Sequence, residues 1–126
     1  NVSLDKWLSD LEPDQLKRVS IQFPDPWFKR KHFKRRVLKI SLLNSIARYM
    51  CKDGELFIQS DIFKLIESMT DVIDNSNFFD RKDVQGLKWL NQNPYEVLTD
   101  REKFVIKKNL PIFRAMYIRN CKLFIN

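Results

Sequence analysis

Residues 38–73 set the order of secondary structure in this chain, and they read LKISLLNSIARYMCKDGELFIQSDIFKLIESMTDVI. From about Lys34 the apolar residues recur at steps of three and four, a spacing that predicts an amphipathic helix. They are Leu38, Leu42, Leu43, Ile46, Ala47 and Met50. The tripeptide Lys52-Asp53-Gly54 ends this pattern, and the apolar-rich run Glu55–Gln59 then predicts a strand. We therefore expect a helix followed by a strand.

A second helix is expected after that strand. Ser60 or Asp61 can cap it, because their side-chain oxygens can accept hydrogen bonds from the first free N–H groups of a helix. The apolar stripe of this helix consists of Ile62, Leu65, Ile66, Met69, Val72 and Ile73. Its spacing again fits a helix with one buried face.

The flanking segments continue the alternation. Val19–Phe23 and Ile112–Ile118 predict strands, and Thr99–Lys108 predicts a short helix. Asn75–Pro94 has no clear period and is expected to be irregular. Strands that alternate with helices in this way are typical of an α/β sheet protein.

Two acidic residues stand where ligands bind in folds of this class. Asp25 follows the first predicted strand, and Asp61 follows the second. In open α/β sheets ligands lie beyond the carboxyl ends of the strands, so both carboxylates should face one crevice. The sequence therefore makes Asp25 and Asp61 site candidates.

Positive charge is concentrated in one segment. The chain has 23 Lys and Arg against 16 Asp and Glu, a net charge of +7. Seven of these cations lie between Lys29 and Lys39, where there is no acid, and the other 16 cations balance the 16 acids. Such a patch suits a polyanion such as RNA, because each neutralised phosphate releases counterions. A solvated helix start or a localisation signal is the plainer alternative.

Cysteine usage and hydropathy indicate an intracellular protein. Cys51 and Cys121 are far apart, and one histidine cannot complete a zinc set with them, so we expect no metal site. Both are expected to be buried free thiols in a reducing compartment such as the cytoplasm or nucleus. The sequence has no apolar run long enough to cross a bilayer, and its start, NVSLDKWLSD, lacks the plan of a secretory signal.

The segment from Phe23 to Arg36 carries the most specific motif. It reads FPDPWFKRKHFKRR and resembles the signature F-P-D-P-W-P-K-x-R-H-x-K-R-R of the tRNA (guanine-N7-)-methyltransferase family. The sequence departs from that signature at Phe28 and Lys31, where the family has proline and arginine. Two prolines, a tryptophan and a fixed order of cations make a match of this length highly specific.

Later segments are similar to the same family. Gln59-Ser60-Asp61 stands where the family has T-D or S-D after a strand, and Thr99-Asp100-Arg101-Glu102 resembles its T-x-x-E substrate motif. Residues 111–114, which lead to Tyr117 and Arg119, are similar to its closing strand. The resemblance thus covers about residues 19–120.

The resemblance implies a Rossmann-like class I methyltransferase fold, with this chain forming the second half of the sheet and its flanking helices. It also implies methyl transfer from S-adenosyl-L-methionine to N7 of a guanosine in the tRNA variable loop. Asp25 would be the catalytic residue and would touch the cofactor. The implied substrate contacts are Lys29, Asp61, Thr99, Asp100, Arg101 and Glu102. The implied tRNA phosphate contacts are Arg30, Lys31, His32, Lys34, Arg35 and Arg36.

The chemistry of guanine fits carboxylates in these roles. N7 already offers an in-plane lone pair, and positive charge passes from the sulfonium to guanine as the methyl group moves. A fixed carboxylate beside the ring stabilises that charge. A carboxylate can also accept from the N1–H and N2–H edge and so orient N7. An unpaired or extruded base would be needed to reach such a pocket.

Each assignment has a structural alternative. Asp25 could cap a turn between its two prolines, and Asp61 could be only a helix N-cap. Thr99–Glu102 is also a capping box, in which Thr99 accepts from the third helical N–H and Glu102 reaches back to the cap.

The glycines bear on the cofactor. This kind of enzyme binds S-adenosylmethionine through a glycine-rich turn after its first strand and an acid after its second. The chain has two glycines, Gly54 and Gly86, and neither lies in such a turn. We therefore expect residues 1–126 to be the C-terminal, substrate-side part of a single methyltransferase domain, without its N-terminal cofactor-binding strands. A non-catalytic RNA-binding module and a methyltransferase for another nucleobase are the rival hypotheses, and a partner subunit or homo-oligomer is left open.

Overall fold

A computed structural model describes residues 13–24, 38–82 and 88–122. Within these ranges the elements are, in chain order, β1 (Leu16–Gln22), α1 (Ile40–Tyr49), β2 (Met50–Ser60), α2 (Phe63–Asp74), β3 (Phe79–Arg81), α3 (Asp100–Lys107) and β4 (Phe113–Arg119).

The four strands form one mixed sheet in the order β1-β2-β4-β3. β1 and β2 are parallel, whereas β4 is antiparallel to both of its neighbours, β2 and β3. The last of these strands in sequence is therefore inserted between two earlier ones. Among the described elements, α1 lies between the parallel strands β1 and β2 in sequence, and helices flank the sheet, so the predicted α/β class is confirmed.

One face of the sheet holds the apolar core. Because side chains alternate along a strand, Leu56 and Ile58 of β2 share a face with Ala115 and Tyr117 of β4. The fully or almost fully buried residues that α1 and α2 pack against this face are Leu43, Ile46, Ala47, Leu65, Ile66, Met69 and Ile73. The stripes predicted from the sequence for both helices therefore supply the core.

Two polar side chains fasten β4 to the helices of this face. The Tyr117 hydroxyl donates to Oδ1 of Asp74 at the end of α2, at 2.8 Å. The buried Arg119 donates from Nε to the carbonyl oxygen of Ala47 in α1, at 2.9 Å. Burial, and to a smaller extent the hydrogen bond to Asp74, raises the pKa of Tyr117 above its usual value.

The opposite face is covered by α3 and by residues 91–99. Phe57, Gln59, Arg114 and Met116 point to this side, since each pair of partners across β2 and β4 lies on one face. Beneath the cover, the rings of Phe57 and Tyr95 meet edge to face with centroids 5.3 Å apart.

The junction between α1 and β2 differs from the prediction. α1 begins at Ile40 rather than near Lys34, because Lys39 has an extended backbone. β2 runs from Met50 instead of Glu55 and reaches its regular register only at Glu55, since Leu16 pairs with Met50 and Arg18 with Glu55. The extra residues of β2 form a bulge.

Gly54 is required inside that bulge. A Cβ atom at this position would lie 2.9 Å from the carbonyl oxygen of Cys51, closer than backbone atoms tolerate. Asp53, just before it, has a left-handed backbone with φ of 67°. The Asp-Gly pair therefore shapes an irregular strand rather than a turn that ends a helix.

Two further predictions are corrected. Neither Ser60 nor Asp61 caps α2: the N-cap is Ile62, and Ser60 Oγ accepts from the Ile62 N–H at 3.0 Å. The segment predicted to be irregular contains β3, a three-residue strand too short to produce an alternating pattern.

The cysteines are both free, as predicted, but they are not buried. Cys51 is half-buried and its thiol donates to the carbonyl oxygen of Leu16, whereas Cys121 is exposed. In the part of the chain that the structure describes, none of the helices has the length and apolar character to span a membrane.

Candidate active site

The carboxyl ends of β1 and β2 lie side by side because these strands are parallel. Gln22 pairs with Gln59 at this edge, and the Phe23 N–H donates to the Gln59 carbonyl at 2.9 Å. Phe23 has a left-handed backbone, with φ of 48°, which turns the chain out of the strand. The edge that leads into the motif beginning at Phe23 is thus fixed against the end of β2.

Most of the predicted cationic and catalytic residues lie outside the described ranges. They are Asp25, Lys29, Arg30, Lys31, His32, Lys34, Arg35 and Arg36. The roles assigned to them stay predictions.

Asp61 and Arg101 are brought together although they are 40 residues apart. Nη2 of Arg101 lies 3.0 Å from Oδ2 of Asp61. The Asp61 side chain is only 11% exposed, whereas that of Arg101 is 49% exposed. Since Ile62 is the N-cap of α2, capping does not account for Asp61.

Thr99 caps α3 as predicted. Its hydroxyl accepts from the Glu102 N–H at 3.1 Å. Asp100 is exposed at the first helical position, where its negative charge interacts favourably with the helix dipole. The other half of the capping box is not formed, because the Glu102 carboxylate points into the protein.

The side chain of Glu102 is fully buried. Its Oε1 accepts from Gln59 Nε2 at 3.0 Å and from Asn93 Nδ2 at 2.9 Å. Its Oε2 accepts from Arg114 Nη2 at 2.9 Å. A buried carboxylate is tolerable only with such donors and an opposite charge.

Further hydrogen bonds complete this network. Arg114 donates from Nε to Gln59 Oε1 at 3.1 Å and from Nη1 to the Asn91 carbonyl at 3.0 Å. Gln59 Nε2 also donates to Gln22 Oε1 at 2.7 Å. We call Gln22, Gln59, Asn93, Glu102 and Arg114 the Glu102 cluster. It joins β1, β2, β4 and the start of α3 at one end of the sheet.

Sequence reasoning assigned no role to Gln22, Gln59, Asn93 or Arg114. A signal was present for Arg114, which stands in the otherwise apolar run from Phe113 to Met116. Charged residues are almost never buried unless they are paired, so an arginine inside a strand predicts a buried partner. The pattern does not say which acid that partner is.

A groove of about 520 Å³ runs over β1 beside this cluster. Arg18, Ser20 and Gln22 line it from the strand, and residues 93–99 line it from the covering segment. It therefore lies between the Thr99 cap of α3 and the end of β1.

Tyr95 secures the covering segment to the sheet. Its hydroxyl donates to Glu55 Oε1 at 3.2 Å, and the Arg18 guanidinium lies 3.9 Å from its ring centroid. Burial, and then the charge of Glu55, raise the pKa of Tyr95 to about 12. The hydroxyl therefore remains a neutral hydrogen-bond donor at physiological pH.

The described ranges contain no candidate metal site. Residues 13–24, 38–82 and 88–122 contain no group of three or more His, Cys, Asp or Glu side chains that could hold a metal ion.

Comparisons with known proteins identify relatives of this chain. Residues 3–115 match the family model described as "Putative methyltransferase". The chain is 68% identical to a tRNA (guanine-N(7)-)-methyltransferase of Prochlorococcus marinus (strain NATL1A) over 100% of its own length and 59% of the relative. It is 48% identical to one of Parasynechococcus marenigrum (strain WH8102) over 95% of this chain and 51% of the relative. The chain thus spans between half and three-fifths of these curated relatives.

Among solved structures, a SAM-dependent methyltransferase from Archaeoglobus fulgidus aligns with a TM-score of 0.48 and 13% identity, over 91% of this chain and 64% of that chain. The family match and the mixed sheet with flanking helices confirm the predicted Rossmann-like class I fold. The curated relatives bear the name of the family that the Phe23–Arg36 motif resembles. Because the family model matches most of its length, the chain belongs to the family described as "Putative methyltransferase".

Proposed function

We propose that this chain is the substrate-side part of an enzyme that methylates N7 of a guanosine in the tRNA variable loop, with S-adenosyl-L-methionine as donor. The meeting of Asp61 and Arg101 carries the proposal. These residues come from two separate family motifs, and they pair beyond the carboxyl end of β2, where ligands bind in open α/β sheets. The relatives at 68% and 48% identity, both named for this reaction, support it.

Asp61 is the proposed acceptor for the donor-rich edge of guanine. Within the described residues, Arg101 bonds its Oδ2, which leaves Oδ1 to accept from N1–H or N2–H. The ion pair holds the carboxylate in one orientation, and fixed orientation is what a positioned base requires. The groove between β1 and residues 93–99 offers the adjoining space.

Glu102 is proposed to act on the substrate through its neighbours. Its carboxylate is fully buried and is bonded by Gln59, Asn93 and Arg114. It thereby fixes the first turn of α3, from which Thr99, Asp100 and Arg101 can reach a nucleotide. Glu102 is a positioning residue in this scheme.

The cofactor pocket is proposed to lie mainly in other parts of the longer protein. Of the described residues, Gly54 is the single glycine, and it lies inside β2 rather than in a turn after a parallel strand. The described residues thus do not fit an S-adenosylmethionine pocket by themselves. The curated relatives, of which the chain spans 59% and 51%, are long enough to contain further strands, which supports this proposal.

Replacing Asp25, the catalytic residue that the family resemblance implies, by Asn tests the proposal. In the full-length protein we expect the single-turnover rate of N7-methylguanosine formation to fall by about a hundredfold or more, the scale of one preorganised electrostatic contact. Affinity for tRNA should change little, because the proposed phosphate contacts lie elsewhere. Asp80→Asn, at an exposed position of β3, is the matched control.

Two results would count against this function. A rate for Asp25→Asn within about threefold of the parent would make Asp25 a turn residue, since a preorganised contact contributes far more. A parent protein that binds tRNA but forms no N7-methylguanosine would favour the non-catalytic RNA-binding module.

A further inference from the structure

The outer side of α3 carries an exposed aromatic ring close to two cations. Phe104 is 46% exposed. The Arg101 guanidinium lies 5.4 Å from its ring centroid, and the ammonium of Lys108 lies 5.8 Å from it. Both distances are within the range of a cation–π interaction.

Helical geometry separates this side from the core. Glu102 and Val105 face inward and are fully buried, so Phe104 and Lys107 lie on the outward side. The cations of this segment are Arg101, Lys103, Lys107 and Lys108, and the acids are Asp100 and the buried Glu102. Arg101 is paired with Asp61, and the exposed Lys103, Lys107 and Lys108 outnumber the exposed Asp100, so the outward side is positively charged.

We propose that Arg101, Phe104, Lys107 and Lys108, here called the Phe104 platform, bind an unpaired nucleotide of the RNA substrate. The base stacks on Phe104, and its phosphates lie against Lys107 and Lys108. An aromatic side chain set among cations is the combination by which proteins hold single-stranded nucleic acid without reading its sequence. A face of cations favours a polyanion over an apolar protein surface.

The platform is continuous with the proposed guanosine site. Arg101 is bonded to Asp61 on one side and lies over Phe104 on the other. A nucleotide stacked on Phe104 would therefore be close along the RNA to the guanosine at Asp61. The inference rests on the proposed function and adds a second RNA contact to it.

Replacing Phe104 separates stacking from charge. In the full-length protein, Phe104→Ala and Phe104→Leu should each weaken binding of a tRNA transcript by about fivefold or more, the loss expected from one stacked base. Phe104→Tyr should retain affinity within about twofold, because it keeps the ring. The salt dependence should be unchanged in all three. In Lys107→Ala/Lys108→Ala the slope of log affinity against log salt should instead flatten by roughly one unit per lost contact.

The matched control is Ile106→Ala. Ile106 is 48% exposed on the same helix. It is two positions after Phe104, a rotation of about 200° around the helix axis, so it points away from Phe104. This variant should bind tRNA like the parent.

Four results would overturn the platform. Three concern affinity for tRNA: unchanged affinity in Phe104→Ala, full affinity in Phe104→Leu, and a loss in Ile106→Ala equal to that in Phe104→Ala. The fourth is an altered oligomeric state of the Phe104 variants with tRNA binding intact. The last of these would assign Phe104 to a protein contact. A parent protein that binds no tRNA would overturn the proposed function as well, so the two failures are distinguishable.

Discussion

The two faces of the sheet are held by different kinds of interaction. On the face covered by α1 and α2, fully buried aliphatic side chains such as Ile58 and Leu65 meet one another. On the face covered by α3, the Glu102 cluster combines a buried ion pair with three side-chain amides. Apart from the hydrogen bonds of Tyr117 and Arg119, the first face is stabilised by apolar contacts that have no direction. The second depends on contacts that need particular atoms at particular distances.

This difference explains where sequence reasoning succeeds. An apolar stripe specifies which side of a helix is buried without naming its partners, so the cores of α1 and α2 follow from spacing alone. A buried glutamate needs named donors, and those of Glu102 come from residues 9, 12 and 43 positions away. No local pattern connects such positions.

Arg114→Met should have the largest effect on stability. It leaves the Glu102 carboxylate buried without its cation, and breaking a buried pair in this way typically costs about 3–5 kcal/mol. Urea unfolding of the full-length protein would measure the change. Met116→Leu, a volume-conserving change on the same strand, is the control and should cost less than about 1.5 kcal/mol.

The double variant Glu102→Leu/Arg114→Met sharpens this test. Because it removes both charges together, its loss should be smaller than the sum of the single losses by about 0.5–3 kcal/mol. Strict additivity would mean that the pair is not coupled and that the second face is stabilised by packing alone.

Leu65→Ala probes the first face and should have an intermediate effect. Leu65 is fully buried in the core, and truncation there removes apolar contacts and leaves a cavity, at a cost of about 3 kcal/mol. Lys64→Ala, at the exposed neighbouring position, should change the free energy of unfolding by about 0.5 kcal/mol or less. Equal losses for both variants in the same urea titrations would argue against the described packing of α2.

Alkaline pH should affect both faces, with the smallest change. The pKa of Tyr95 is raised to about 12 and that of Tyr117 is raised as well, while both are near 10 in the unfolded chain. The stabilisation from a raised tyrosine pKa is complete below pH 10 and is lost as pH rises toward the folded-state value. Unfolding free energies measured from pH 9 to 12 should therefore fall less steeply in Tyr95→Phe, and in Tyr117→Phe, than in the parent.

If the unfolding free energy of Tyr95→Phe fell with pH as steeply as that of the parent, the proposed effect of burial and Glu55 on the pKa of Tyr95 would be contradicted. Tyr117→Phe serves as the comparison on the other face, where the partner of the hydroxyl is Asp74.

Some of the described helices and strands could be predicted from the sequence, and others could not. α3 and its Thr99 cap follow from local chemistry, and the structure confirms them. β3 was missed because three residues that pair at a sheet edge carry no period. The start of β2 was missed because Met50 also fits the helical spacing of α1, and only pairing with Leu16 decides between them.

The candidate site divides in the same way. The sequence motifs name Asp61 and Arg101 as site residues, but their ion pair depends on how α3 crosses the end of β2. Gln59 and Asn93 became recognisable only as partners of Glu102, since amides are common at exposed positions and carry no signal by themselves.

The insertion of β4 between β2 and β3 has a consequence for synthesis on the ribosome. A nascent chain that has emerged only as far as α3 already contains β2 and β3, yet the strand that joins them is missing. At that stage the β4-facing edge of β2 exposes unpaired backbone groups along apolar residues, the condition under which incomplete chains aggregate. Glu102 has also emerged before Arg114, so its carboxylate must stay in water until the cation arrives. Protection of this half-built sheet, for example by chaperones, therefore matters from the emergence of β2 until β4 is free to pair.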